Sequence, residues 1–339
     1  MIGKNLKNTP RILVFWILFF VSPFIYAVEN KALCIFDPVG ANGLIFESIK
    51  DIKAVAVNWG VSFELKPYTD ERVASEDFKS GVCDAVFLTG LTGRQYNVFT
   101  GTIDSIGAIP SYRHLRAALQ TLSSEKAANL MVSGDYEVVG IIPAGAAYLF
   151  VNNREIDSVP ELSGKRIAVL EADPAQQELV MKVGASPVGA NLATMYSKFN
   201  NGSVDICVGP AVVYEAMELY KGVQPNGGVV KFPLGQLTLQ MIVHKNKFPP
   251  AFGQQARSYA FSQFDKAIGK IQAIENKIEA KWWMDIAQND QAQYNEMFRQ
   301  ARLTLRNKGI YDAKMLTILR RVRCQMEPSS SECSATDKE

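Results

Sequence analysis

The sequence contains very little histidine: His114 and His244 are the two histidines among 339 residues. Two isolated histidines make a zinc-type centre improbable, because such centres draw most of their ligands from clustered histidine and cysteine. The common catalytic and nucleotide-binding motifs GxSxG, HExxH, GxxxxGK[ST] and CxxC are also missing. We therefore predict a protein that is not an enzyme and that needs no metal and no cofactor.

An excess of charge of either sign is missing as well. The 36 basic and 34 acidic residues give a net charge of +2, so nothing indicates a nucleic-acid partner. Lys4, Lys7 and Arg11 precede an apolar run over 12–27 that is short for a membrane span and ends in Ala27. This layout is typical of a cleavable signal peptide, and its removal would leave a net charge of about −1. We expect residues 1–27 to be cleaved and the mature chain to be exported, with an uncleaved membrane anchor as the alternative.

Cysteine is scarce, with five in the chain, and all five follow the predicted signal. An oxidising compartment favours pairing, and an odd number leaves at least one cysteine over. Cys34 and Cys83 open two strand candidates that could be neighbours, whereas Cys324 and Cys333 bracket a short tail. We predict these two disulfides and a free, buried Cys207, although spacing alone does not fix the connectivity.

One short pattern, FxxGxxD, occurs twice, at 78–84 (FKSGVCD) and at 199–205 (FNNGSVD). Each copy follows a helix-like segment and runs into an apolar stretch. Glycine suits the residue after a helix because it lacks a Cβ, and aspartate favours the turn before a strand. The repeat therefore indicates two similar α/β lobes, and two lobes imply a cleft in which a small molecule binds.

Strand and helix candidates alternate from residue 32, which is typical of parallel sheets. Residues 111–131 are predicted to be helical. An extended stretch at 137–151 is long enough to pass to a second lobe, and a single strand over 229–244 would return the chain. Apolar residues recur every three or four positions from Phe261 to Trp282, which predicts one helix of about 35 residues across both lobes.

Several ordered segments carry a family resemblance: the LxGK-hydrophobic stretch at 162–169, GASPV at 184–188, and Tyr196 followed by FNNGSVD. Together with the crossing strands and the spanning helix, they resemble the periplasmic solute-binding proteins of tripartite ATP-independent periplasmic (TRAP) transporters. The resemblance implies an α/β, two-lobed periplasmic binding protein of type II-like fold, with hinge strands and a long helix that spans both lobes. It also implies a small-molecule ligand, inner-membrane transporter subunits as partners, and a monomer.

The predicted lobes are residues 28–142 with 240–339, and residues 143–239. Loops at the carboxyl ends of parallel strands face the binding crevice. Most of the predicted ligand-binding residues lie there, and the others are aromatic and polar residues on the crossing strands. They are Asp37, Asn42, Tyr68, Thr89, Arg94, Tyr148, Arg166, Glu171, Asp173, Pro210, Tyr214 and Gln236.

The chain departs from the resemblance at one position. The family usually carries an arginine that binds the ligand's carboxylate, and the matching position here is Ala168. Arg166, on the same side of the strand, and Arg94, in the first lobe, are the alternative sources of a guanidinium. Proteins of this kind are also described as components of drug efflux in aminoglycoside resistance, which leaves a ligand-independent accessory protein of an envelope or efflux complex as the alternative function.

Overall fold

The computed structural model describes residue 2 and residues 28–339. The predicted signal peptide, 1–27, thus lies almost entirely outside the described residues. None of the helices that the structure describes is both long and apolar enough to cross a bilayer.

The strands and helices alternate along the chain as predicted. The strands are β1 (Glu29–Phe36), β2 (Val61–Tyr68), β3 (Ala85–Thr89), β4 (Val132–Ser133), β5 (Tyr136–Val151), β6 (Arg166–Leu170), β7 (Ser186–Ala190), β8 (Ile206–Pro210), β9 (Gly228–Val230), β10 (Gly235–His244) and β11 (Trp283–Met284). The helices are α1 (Leu44–Ile49), α2 (Ile52–Ala56), α3 (Glu71–Lys79), α4 (Gly90–Gly93), α5 (Val98–Gly101), α6 (Tyr112–Leu122), α7 (Pro174–Lys182), α8 (Leu192–Asn200), α9 (Val213–Ala216), α10 (Tyr220–Val223), α11 (Phe252–Ser262), α12 (Phe264–Glu275), α13 (Gln288–Asn307), α14 (Ala313–Met326) and α15 (Ser331–Ser334).

The strands form one mixed sheet in the order β2-β1-β3-β10-β5-β8-β6-β7. We call β2-β1-β3 with their helices the first lobe, and β8-β6-β7 with theirs the second lobe. Strands β1, β2 and β3 pair in parallel, as do β6, β7 and β8. The antiparallel strands β10 and β5 lie between the two sets and belong to both lobes.

The repeated FxxGxxD pattern forms the same joint in both lobes. Gly81 follows α3 with a φ of 82°, and Gly202 follows α8 with a φ of 76°. Both values lie in the left-handed region, where a Cβ is disfavoured, so glycine allows each helix to end there. The phenylalanines of the two copies, Phe78 and Phe199, are buried in the cores of their lobes.

The aspartates of the pattern also act alike. The Asp84 carboxylate accepts a hydrogen bond from the Ala32 amide of β1 at 3.0 Å, and the Asp205 carboxylate accepts one from the Arg166 amide of β6 at 2.9 Å. In each lobe the aspartate thus connects the strand that follows the helix to the parallel strand beside it in the sheet.

The prediction of one helix of about 35 residues is wrong in length. The helix is interrupted at Gln263 between α11 and α12, and it ends at Glu275. Ile278 continues the apolar pattern because it is buried in the second lobe, and Trp282 packs beside it in a short 3-10 turn. These two residues are apolar because they pack on the second lobe and not because they belong to the helix.

Two other predicted elements are shorter than expected. The returning strand is divided into β9 and β10 by a segment that contains Pro233, because proline lacks the amide that a ladder requires. The helical stretch predicted over 111–131 ends at Leu122, and a 3-10 segment, Glu125–Leu130, follows.

Both predicted disulfides are confirmed, Cys34 with Cys83 and Cys324 with Cys333. Cys207 is free and buried, and burial raises the pKa of its thiol well above the ordinary value. A protonated, inaccessible thiol is a poor nucleophile.

Helix α13 packs on the second lobe through Tyr294 and Phe298, and α14 packs on the first lobe through Met315 and Leu319. The C-terminal helices therefore contact both lobes, and the lobe boundaries given above stay a prediction.

Candidate functional site

A cavity of about 230 Å³ lies between the two lobes. The first lobe contributes the carboxyl ends of β1 and β3, and the second contributes α8 and the carboxyl end of β8. The crossing strands β5 and β10 form the base, and α11 with α12 closes one side. Loops beyond the carboxyl ends of parallel strands are the usual place for a ligand in such sheets.

The walls of the cavity are predominantly apolar. The first lobe and the crossing strands place Phe36, Ile45, Ile49, Phe87, Ile142 and Leu239 there, the second lobe places Leu192, Tyr196, Val212 and Val213, and the helices place Tyr259, Ala267 and Ile271. An apolar cavity of about 150 Å³ is large enough to bind benzene. This cavity therefore has room for a ring with a short substituent.

A small polar group lies among these apolar walls. The Asp104 carboxylate accepts hydrogen bonds from the Thr238 hydroxyl at 2.6 Å and from the Thr238 amide at 3.1 Å. Asp104, Thr238 and Thr89 all line the cavity. Burial of the Asp104 carboxyl raises its pKa to about 7, although the Thr238 hydrogen bonds oppose the shift.

Gly90 is required beside this carboxylate. A Cβ built on Gly90 would lie 2.5 Å from an Asp104 carboxylate oxygen and 2.5 Å from the Thr238 hydroxyl. A larger residue would displace the pair, so the start of α4 sets the position of Asp104. The neighbouring turn is held by buried Glu71, which accepts hydrogen bonds from the Thr89 amide and the Thr92 hydroxyl, both at 2.6 Å.

The buried Tyr196 of the second lobe also lines the cavity. Lys266 and Lys270 lie at the exposed rim, where Lys266 pairs with Asp51 at 3.1 Å. Because both lysines are exposed to water, an ion pair with either of them contributes little free energy.

The lobes also make a charged contact with each other. The Arg94 guanidinium of the first lobe lies 3.0 Å from the Asp173 carboxylate of the second, and the two side chains are 11% and 5% exposed. Arg94 also donates to the Gly101 carbonyl at 3.3 Å and stacks over the Tyr311 ring. Asp173 caps the start of α7 by accepting from the Ala175 amide.

Two of the predicted ligand residues, Thr89 and Pro210, line the cavity. Arg94 and Asp173 instead bind each other. Arg166 pairs with Asp205 at 2.7 Å and is about half exposed, and Glu171 is exposed beyond β6.

Asp37 and Asn42 do not line the cavity themselves. Asp37 accepts hydrogen bonds from the amides of Val39, Ile45 and Phe46, and Asn42 is exposed. Ligand contact by either residue stays a prediction.

The three predicted tyrosines pack elsewhere. Tyr68 donates to Asp77, Tyr148 donates to Glu275, and Tyr214 stacks on Phe150. Gln236 is buried on β10, and its side-chain oxygen has no hydrogen-bond partner among the described residues. Binding by these four residues also stays a prediction.

Sequence reasoning missed Asp104, Thr238 and most of the apolar wall. Asp104 belongs to no motif, and its partner lies 134 residues away. One usable signal was the alternation in β10, where Gln236, Thr238 and Gln240 place polar groups on one face of an otherwise apolar strand. No group of three metal-ligating side chains is found in the part of the chain that the structure describes.

The model of the solute-binding protein AdeT 1/2 family matches residues 52–338. The probable solute-binding protein AdeT1 of Acinetobacter baumannii is 43% identical over 303 residues, which covers 89% of this chain and all of that protein. The probable solute-binding protein AdeT2 of the same organism is 31% identical over 233 residues, or 69% of this chain and 98% of that one.

Solved structures share the fold at low identity. A TRAP periplasmic solute-binding protein of Ralstonia eutropha H16, with bound (S)-2-acetolactate, has a TM-score of 0.72 at 16% identity and covers 87% of this chain and 99% of its own. One from Sulfitobacter, with bound β-D-galacturonate, has a TM-score of 0.71 at 12% identity and covers 86% and 100%. These likenesses establish the two-lobed fold of periplasmic binding proteins.

Proposed function

The chain belongs to the solute-binding protein AdeT 1/2 family, and we propose that it captures a small, largely apolar molecule in the cavity between its lobes. One observation carries this proposal: the cavity is lined by residues from both lobes and from the strands that join them. A ligand held there touches both lobes at once. It therefore stabilises the closed arrangement relative to an open one, in which only one set of contacts forms.

The proposed ligand has no carboxylate as its principal recognition group. Ala168, at the position of the family's arginine, is 1% exposed and packs in the core of the second lobe. The other two arginine candidates, Arg94 and Arg166, are paired with Asp173 and Asp205. No arginine is found among the described residues that line the cavity, so the paired hydrogen bonds that suit a carboxylate have no source there. The structural relatives named above contain carboxylate ligands, and we propose that the ligand of this chain belongs to a different chemical class.

We further infer that the protein works in the periplasm as a monomer and presents its ligand to the membrane subunits of a TRAP-type transporter. The fold shared with periplasmic TRAP proteins and the charged, apolar segment over 1–27 support this inference. We propose no catalysis and no nucleic-acid binding. The alternative, a ligand-independent accessory protein of an efflux complex, has no feature of the described residues in its favour.

Native mass spectrometry of freshly purified protein tests the proposal. We expect a bound small molecule, and we expect Ala267→Trp to abolish its retention because the indole would occupy the cavity. Gln272→Trp, which adds the same side chain to an exposed position of α12, is the matched control and should keep the ligand. Equal retention by both variants would place the ligand outside the cavity and refute the proposal, as would the lack of any ligand together with no thermal shift across a metabolite panel.

A further inference from the structure

We propose that the ligand of this cavity carries a single cationic group, a protonated amine, that pairs with the Asp104 carboxylate while its apolar remainder fills the cavity. This inference rests on the function proposed above and adds the chemical class of the ligand. It concerns an interaction that none of the sequence-predicted ligand residues provides.

Asp104 is the acidic residue among the described residues that line the cavity. Asp104 is 8% exposed, and its carboxylate accepts two hydrogen bonds, both from Thr238. An ionised carboxylate has about four acceptor sites, so about two remain available. Within the described part of the chain, no side-chain nitrogen of a lysine, arginine or histidine lies within 4.0 Å of the Asp104 carboxylate. The Arg94 guanidinium pairs with Asp173 instead. A buried carboxylate that lacks a cation is costly unless a partner arrives.

The walls limit what that partner can be. Polyhydroxylated or polycationic molecules would lose water from many groups and regain few hydrogen bonds against Phe36, Phe87, Leu239 and Val212. An anionic ligand would meet the Asp104 carboxylate at close range. The lysines at the rim, Lys266 and Lys270, are exposed, so they attract an anion only through water. A molecule with one amine and an apolar body satisfies both the carboxylate and the walls.

The raised pKa of Asp104 agrees with this geometry. Burial raises it to about 7, whereas the Arg94 guanidinium lowers it and the Asp173 carboxylate raises it. The Asp104 carboxyl therefore titrates close to pH 7 without ligand. A cation that pairs with Asp104 favours the ionised form, so its binding near pH 7 should release protons.

Three probes of similar shape separate the head group from the apolar body: phenethylamine, 2-phenylethanol and 3-phenylpropionate. Titration calorimetry with the whole purified protein should show phenethylamine binding about tenfold or more tightly than the alcohol, because a charge-assisted pair is stronger than a neutral hydrogen bond. The carboxylate should bind more weakly than either.

Asp104→Asn should remove about tenfold or more of the affinity for phenethylamine and leave the affinity for 2-phenylethanol nearly unchanged. Asparagine keeps an acceptor for the Thr238 amide, so the variant is conservative. Asp265→Asn removes a carboxylate from the exposed face of α12, and this matched control should bind all three probes like the unmodified protein. The second readout needs no variant: the binding heat of phenethylamine near pH 7 should depend on the ionisation enthalpy of the buffer, whereas that of the alcohol should not.

The results separate this inference from the proposed function. If the alcohol or the carboxylate binds as tightly as the amine, or if Asp104→Asn keeps the preference for the amine, the inference is refuted and the cavity remains a small-molecule site. If the binding heat of the amine is independent of the buffer, Asp104 is not the group that pairs with it. If no probe binds and no ligand co-purifies, the proposed function itself is overturned.

Discussion

The ion pair between Arg94 and Asp173 should contribute strongly to the stability of the two-lobed arrangement. It joins α4 of the first lobe to α7 of the second over 3.0 Å, and little of either side chain reaches water. Removing one partner of a buried pair leaves the other charge without compensation, which typically costs about 3–5 kcal/mol. The residual exposure of Arg94 places the expected cost near the lower end, at about 3 kcal/mol.

Asp173→Asn isolates the charge from the helix cap. Asparagine is as good an N-cap as aspartate, so the capping of α7 is retained and the loss of stability reports on the pair. Arg94→Met removes the other charge and keeps much of the apolar stem over Tyr311. The double variant should lose about 2 kcal/mol less unfolding free energy than the two single variants lose in sum, because the second substitution no longer breaks an intact pair.

Urea unfolding followed by tryptophan fluorescence measures these values, since Trp59, Trp282 and Trp283 lie in the described chain. The exposed pair of Arg116 and Asp265 provides the matched control, and its disruption by Arg116→Met should cost less than about 1 kcal/mol. If Asp173→Asn costs less than about 0.5 kcal/mol, or if the two substitutions add without coupling, the lobes are not joined by this pair in solution and the reasoning fails.

Three further predictions concern the joint, a buried carboxyl and a disulfide. Gly81→Ala should destabilise by about 1 kcal/mol because its φ of 82° disfavours a Cβ, whereas Gly269→Ala, inside α12 with open space around it, should be neutral or stabilising; equal effects in urea unfolding would contradict this explanation. Asp104 has a folded pKa of about 7, above its unfolded value, so its contribution is greatest below about pH 4 and is lost, by about 4 kcal/mol in all, as the pH rises through 7. Asp104→Asn should flatten the fall in unfolding free energy between pH 5 and pH 8, and an unchanged fall would assign it to other groups. Replacing Cys34 and Cys83 together by alanine should cost about 2–4 kcal/mol, because the bond closes a loop with a sequence separation of 49; a melting temperature that stays the same would show that the bond is absent in the purified protein.

The parts of the fold that depend on short sequence segments could be predicted. The FxxGxxD pattern located the joint in each lobe, because a glycine after a helix and an aspartate before a strand act through their own backbone neighbourhood. The disulfide of Cys34 followed from the parallel pairing of β1 and β3. The interruption at Gln263 could not be predicted, since the apolar spacing of three to four residues continues across it.

The site was harder to predict because its members are distant in sequence. Arg94 and Asp173 are predicted ligand residues because each follows a strand end, whereas in the structure these two side chains face each other and form an ion pair. Asp104 gives no local signal, since its environment is created by Thr238 on a strand that returns from the second lobe. The apolar walls resembled ordinary core residues in the sequence, because core packing and ligand contact require the same side chains.

The two strands shared by the lobes have a mechanical consequence. Strands β5 and β10 are hydrogen-bonded to each other through the region where the lobes meet, with irregular register beside Thr238 and Ile242. In β5 the residues near the first irregularity include Pro143 and Gly145, which has a φ of 119°. The lobes are thus not joined by two independent linkers. Their separation would have to bend the paired strands β5 and β10, where the register is irregular. Because β5 and β10 are paired with each other, the amplitude of any opening would be limited by how far this pair of strands can bend.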